Sequence, residues 1–125
     1  MLSNRRRRVI LVVDDERDVL QIYVGALELE GYEVHYATSG FEGLEMVGDV
    51  RPDLILLDLW MPGIDGRGFA LALTMRGVEV PIVLVTGAEK PALWAEAIGA
   101  VALLEKPFDV DELVALVDRV SSQAA

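Results

Sequence analysis

A chain of 125 residues with a formal net charge of −10 is long enough for one domain around one core. Its acidity argues against nucleic acid as the main partner, because phosphate backbones need neutralising positive charge. The absence of cysteine excludes disulfides and thiolate metal sites. With 53% hydrophobic but only 6% aromatic residues, the core has to come from Val, Leu, Ile and Ala.

The opening "MLSNRRRRVILVVDDE" has the outline of a signal peptide, with arginines and then an apolar run. That run, Val9 to Val13, stops at Asp14, Asp15 and Glu16. A secretory core needs roughly 7–15 apolar residues and a membrane span about 20. It therefore reads as the first strand of a soluble cytoplasmic protein, with residues 1–8 as a basic, solubilising lead-in. Val19, Leu20, Tyr23 and Leu27 then recur at helical spacing, and Gly31 follows as a stop. "VHYA" (34–37) is the next strand, and Phe41, Leu44 and Val47 mark a shorter helix. "LILL" (54–57) is a third strand; Asp65 can cap a helix through Met75, with Gly77 beyond. "IVLV" (82–85) is a fourth, and Pro91 suits a first helical turn. "VALL" (101–104) is a fifth, and Asp109 or Asp111 opens a helix carrying Leu113, Leu116, Val117 and Val120.

Strand and helix alternate five times, and most strands lack polar alternation. That pattern predicts an α/β, doubly wound parallel sheet covered by helices on both faces. No linker or repeat divides the chain, so residues 9–121 read as one domain and 122–125 as a tail.

Asp14 and Asp15 follow the first strand, Asp58 the third, Thr86 the fourth and Lys106 the fifth. In a parallel sheet these positions share one edge, where open α/β sheets bind ligands. Each residue alone has an ordinary reading as a turn, a cap or a strand end. Together they bring carboxylates, a hydroxyl and an ammonium to one place. Crowded carboxylates repel, and one takes up a proton unless a cation intervenes. A hard divalent ion with oxygen ligands, Mg²⁺ above all, fits such a set. Beside a metal and Lys106, Asp58 stays ionised and can act as a nucleophile that forms an acyl phosphate. The metal, the ammonium and the hydroxyl of Thr86 would then stabilise charge on the phosphoryl oxygens.

"VDDE", "LLDLWMPGIDG", "VTG" and "EKPF", in that order and at these intervals, resemble the receiver domain of two-component response regulators, and the resemblance runs from about Val9 to Val120. It implies a flavodoxin-like sheet of five strands in the order 2-1-3-4-5 with five helices. It implies Asp58 as phospho-acceptor, Asp15 as a direct Mg²⁺ ligand, Asp14 acting nearby through water, and the backbone carbonyl of Trp60 completing the protein's metal ligands. It also implies Thr86 and Lys106 on the phosphoryl group and a cis Lys106–Pro107 bond. A histidine kinase or phosphotransfer protein would supply the phosphoryl group. A downstream protein would read the face made by the fourth helix, fifth strand and fifth helix, which could equally serve a homodimer.

Three positions depart from the family pattern. Leu103 stands where a Tyr or Phe usually couples to the threonine. The interval from Thr86 to Gly99 is about two residues short, so the fourth helix, with a half-buried Trp94, is expected to be short or displaced. Trp60 stands two residues past Asp58, where it would screen the acyl phosphate from water and prolong the phosphorylated state. Gly87 and Ala88 should leave the other side open to a phosphodonor. His35, the only histidine, falls in the second strand, away from the site. Two other classes compete with a phosphorylation switch. A phosphate-independent binding module has no need of all five polar residues. A phosphatase with an aspartyl nucleophile would want an acid–base group where Trp60 stands.

Overall fold

The computed structural model describes residues 7–123. Five strands alternate with five helices: β1 (Val9–Val13), α1 (Arg17–Leu29), β2 (Glu33–Ala37), α2 (Gly40–Val50), β3 (Leu54–Asp58), α3 (Gly66–Met75), β4 (Ile82–Thr86), α4 (Pro91–Ile98), β5 (Ala102–Glu105) and α5 (Val110–Gln123). All strand pairs are parallel and the order is β2-β1-β3-β4-β5. The chain reverses direction of travel beside β1, so the crevice at a switch point opens above β1 and β3.

The unbroken apolar strands have the expected cause. β1, β3 and β4 are buried throughout, because helices cover both faces. On one face Ile10, Val12, Leu56 and Val83 meet Leu20 and Leu27 of α1 and Leu113 and Val117 of α5. On the other, Leu11, Val13, Ile55 and Leu57 meet Leu44 of α2 and Phe69 and Leu73 of α3. Tyr32 donates to Asp118 at 2.6 Å, tying the start of β2 to α5.

Helix starts follow the side chains available. Asp65 accepts from the Gly68 N–H at 2.8 Å, as its position predicts. Asp109, rather than Asp111, caps α5: it accepts from the Glu112 N–H at 2.9 Å, and Glu112 reaches back to the Asp109 N–H at 3.4 Å. Pro91 takes the first turn of α4, the shortest of the five helices at eight residues, as the short interval predicts.

Several boundaries differ from the sequence reading: β2 begins one residue earlier, at Glu33, and β3 and β4 each end one residue later, at Asp58 and Thr86. β5 starts at Ala102 and runs to Glu105, one residue later than the apolar run, because pairing with β4 rather than hydrophobicity sets its ends. The expected tail at 122–125 is shorter, because α5 continues through Ser121 and Ser122 to Gln123, with Val120 and Ser121 still buried against the core. Ala124 and Ala125 lie outside the described residues, as does most of the basic lead-in, residues 1–6. Among the described residues no helix is long and apolar enough to cross a membrane.

Candidate functional site

The five polar residues meet at the C-terminal edge of the sheet. Asp58 and Thr86 are the last residues of β3 and β4, Asp14 and Asp15 leave β1, and Lys106 leaves β5. Asp14, Asp58 and Thr86 are almost fully buried, at 2%, 6% and 1% exposure, so they do not form a solvated turn. One carboxylate oxygen from each of Asp14, Asp15 and Asp58 lies within 4.8 Å of the others. Lys106 Nζ sits 3.4 Å from Asp58 Oδ1 and 3.9 Å from Asp14 Oδ2.

Local backbone bonds fix these side chains. The Asp14 N–H donates to the Ala37 carbonyl at 3.1 Å, and Asp14 Oδ1 accepts from the Glu16 N–H at 2.9 Å. The Lys106 N–H donates to the Thr86 carbonyl at 2.9 Å, holding the start of the β5–α5 loop against β4. The Lys106–Pro107 bond is cis, as the motif implied. Thr86 Oγ1 accepts from the Ala88 N–H at 3.0 Å, which leaves its own proton available to an oxygen placed above it. Beside Thr86, Gly87 is exposed and Ala88 half-buried.

Beyond Asp58 the loop is held by a close approach. The Gly66 N–H donates to the Leu59 carbonyl at 2.7 Å. A Cβ at Gly66 would come within 2.9 Å of the Asp58 carbonyl oxygen and 3.0 Å of Leu59 Cα, both backbone atoms that cannot yield alone. Gly66→Ala is therefore expected to destabilise the fold by about 1–3 kcal/mol, the usual cost of overpacking. Because the strain falls on the Asp58–Leu59 peptide, divalent-ion affinity should fall with it. Thermal denaturation and metal titration of the variant check both.

Electrostatics give the cluster its character. Burial first, then the charge of Asp14, push Asp58 up to about 6, against the opposing pull of Lys106. Burial also raises Asp14, partly offset by the Glu16 N–H and by Lys106. For Lys106 burial acts downwards, but Asp58, Asp14 and Glu16 outweigh it and hold the ammonium above its ordinary value. One ammonium thus leaves the acidic set under-neutralised. Three oxygen donors in reach of one another, with one ammonium among them and a carboxylate pushed towards neutrality by burial and by Asp14, fit a hard divalent cation.

Sequence reasoning missed Glu16, whose Oε1 lies 3.6 Å from Lys106 Nζ. Its place directly after the Asp14–Asp15 pair was the available signal. It also missed the environment of Trp60. Leu59 and Met61 on either side are buried, while Trp60 is 54% exposed and its ring meets Trp94 of α4 edge to face, with centroids 5.3 Å apart and planes at 76°. Trp94 is half-buried, as expected. Leu103 is half-buried and pairs in register with Leu84. His35 pairs with Glu33 at 2.8 Å in β2 and takes no part in the site.

The family model of the response regulator receiver domain matches residues 10–118. The chain belongs to the response regulator receiver domain family. Among curated relatives, the receiver is 38% identical over 108 residues to response regulator MprA of Mycobacterium ulcerans, covering 85% of this chain and 47% of that protein. It is 36% identical over 112 residues to regulatory protein AtoC of Escherichia coli, covering 88% of this chain and 24% of that protein. It thus spans less than half the length of these relatives. Among solved structures, chemotaxis protein CheY4 of Vibrio cholerae superposes with a TM-score of 0.85 at 32% identity, over 92% of this chain and 99% of that one. The receiver domain of NtrX from Brucella abortus does so with a TM-score of 0.81 at 32% identity, over 90% and 98%. Receiver domains are signalling domains that switch on phosphorylation, and the five-strand order found here is theirs.

Proposed function

We propose that Asp58 is the phosphoryl acceptor of this receiver, and that a histidine kinase or phosphotransfer protein is the donor. The observation that carries this reading is the approach of Lys106 Nζ to Asp58 Oδ1, at 3.4 Å, within a trio of acids of which Asp14 and Asp58 are buried and Asp15 half-buried. An Asp58 oxygen attacks phosphorus, the new P–O bond forms as the donor's bond breaks, and the donor leaves with the electron pair. Lys106 releases part of its pairing with the carboxylate to meet a phosphoryl oxygen. Thr86 donates its hydroxyl proton to another. Asp14, Asp15, Asp58 and the backbone carbonyl of Trp60 would hold Mg²⁺. When bound, the ion offsets charge on the carboxylates and on the transferring phosphoryl oxygens.

The chain is thereby the acceptor in its own phosphorylation rather than an enzyme for external substrates. Trp60, where an aspartyl phosphatase would want an acid–base group, has no titratable proton to give. The phosphorylated domain would act on a downstream protein, with α4, β5 and α5 as the face that changes. With Leu103 at the usual aromatic position, that change does not run through a ring on β5.

Incubation with Mg²⁺ and acetyl phosphate, followed by mass spectrometry, tests the reading. The expected result is a gain of one phosphoryl group that disappears when the metal is chelated. Metal binding with no gain in mass would favour a phosphate-independent module. Sustained turnover of a phosphorylated external substrate would favour an enzyme.

A further inference from the structure

Trp60 and Trp94 are the only two tryptophans of the chain, and they touch each other. One stands two residues past Asp58, on the loop that leaves β3; the other is in α4. The backbone at Trp60 is pinned by buried Leu59 and Met61, and the peptide of Leu59 is bonded to Gly66. Its half-exposed ring has no comparable anchor in the core. α4, for its part, buries none of its residues fully, and Lys90 at its start offers no side-chain cap. Leu93 of this helix is 62% exposed. A large ring two residues past the acceptor therefore leans on a helix that is itself lightly held.

We propose that Trp94 is a positioning residue for Trp60, holding its ring at the mouth of the Asp58 site so that the placement of α4 sets how long an acyl phosphate survives there. The proposal rests on Asp58 being the acceptor. Loss of the phosphoryl group is attack of a water oxygen on phosphorus. The bond to the Asp58 oxygen breaks, the carboxylate leaves with the electron pair, and the protons of the water end on inorganic phosphate and solvent. A ring held at the mouth occupies room that the incoming water needs. Edge-to-face contact gives the ring a preferred place without burying it.

Two measurements on the intact chain test this. In Trp94→Ala and Trp94→Phe, Trp60 is the sole tryptophan, and acrylamide quenching of its fluorescence needs no phosphorylation. Quenching should be clearly greater in Trp94→Ala, since Phe preserves an aromatic face for the contact. Equal quenching in the two variants overturns the positioning role. After loading with acetyl phosphate and removal of the donor, Trp94→Ala should lose phosphate about two- to tenfold faster than the parent, the range by which one such contact biases a held over a released ring. Trp94→Phe should keep a lifetime near that of the parent. Trp60→Ala with Trp94→Ala should be no faster than Trp60→Ala alone, because one residue acts through the other. Multiplied rates in the double variant, or an unchanged lifetime in Trp94→Ala, overturn the proposal. A chain that takes up no phosphate at all defeats the acceptor role of Asp58, and the quenching pair still decides the contact.

Discussion

Asp58→Asn is expected to take up no phosphoryl group from acetyl phosphate, and to be more stable than the parent at neutral pH when no metal is present. The first outcome follows from chemistry: an amide oxygen carries no full charge and cannot leave a stable acyl phosphate behind. The second follows from linkage. Burial, and after it the charge of Asp14, raise Asp58 from 3.8 to about 6 in the folded chain. An acid with a raised folded-state pKa binds its proton more tightly folded than unfolded. Below 3.8 both states hold the proton and nothing is lost; as pH rises from there to about 6 the penalty grows, and beyond it the penalty is complete. At about 1.4 kcal/mol per unit, the full penalty is up to roughly 3 kcal/mol. Asparagine is neutral throughout, so its advantage should appear across that interval and vanish in acid. Thermal melts at several pH values without metal measure it. Mg²⁺ should shrink the difference, since binding stabilises the parent folded state more. A stability gain that is the same in acid as at neutral pH contradicts the electrostatic account.

Lys106→Met carries the second large effect, and its two readouts should move in opposite directions. The ammonium faces Asp58 at 3.4 Å, Glu16 at 3.6 Å and Asp14 at 3.9 Å. Without it no positive group meets the phosphoryl oxygen on that side. Loss of one such preorganised donor costs on the order of 100- to 1,000-fold in rate, so phosphorylation by acetyl phosphate should slow by that factor. The same ammonium repels a divalent ion from the acidic trio. Its removal should therefore tighten Mg²⁺ binding severalfold while the rate collapses. Lys106→Arg keeps the charge, but its planar fork does not match the point-like ammonium, so it should restore the metal affinity more than the rate. Rate and affinity falling together in Lys106→Met would mean that the lysine merely supports the loop.

The residues that were legible in the sequence are those whose position along a strand fixes their place in space. Asp58 ends an apolar run and therefore sits at the rim of a parallel sheet; Asp14, Asp15, Thr86 and Lys106 obey the same logic. The cap at Asp65 was legible because its bond to Gly68 is local. Other features depend on the paths of loops, which no periodicity encodes. The contact between Trp60 and Trp94 crosses from one loop to a helix that arrives by another. The reach of Glu16 to Lys106 requires the β1–α1 and β5–α5 turns to lean together. The length of α5 depended on whether small polar residues continued a helix whose inner face was already set by Val117 and Val120.

The alignment of the strands has a further consequence for how the chain finds its fold. Val13 lies opposite Leu57, Asp58 opposite Val85, and Thr86 opposite Glu105. Sliding β3 by one residue would turn each of its side chains to the opposite face. Asp58 would then be drawn among the valines of β1 and β4 with its lysine out of reach, and an unpaired ion so buried costs several kcal/mol. Near-uniform aliphatic strands would otherwise accept neighbouring alignments almost equally well. The same carboxylate that strains the metal-free sheet thus works as a proofreading mark, penalising misthreaded pairings more than the correct one.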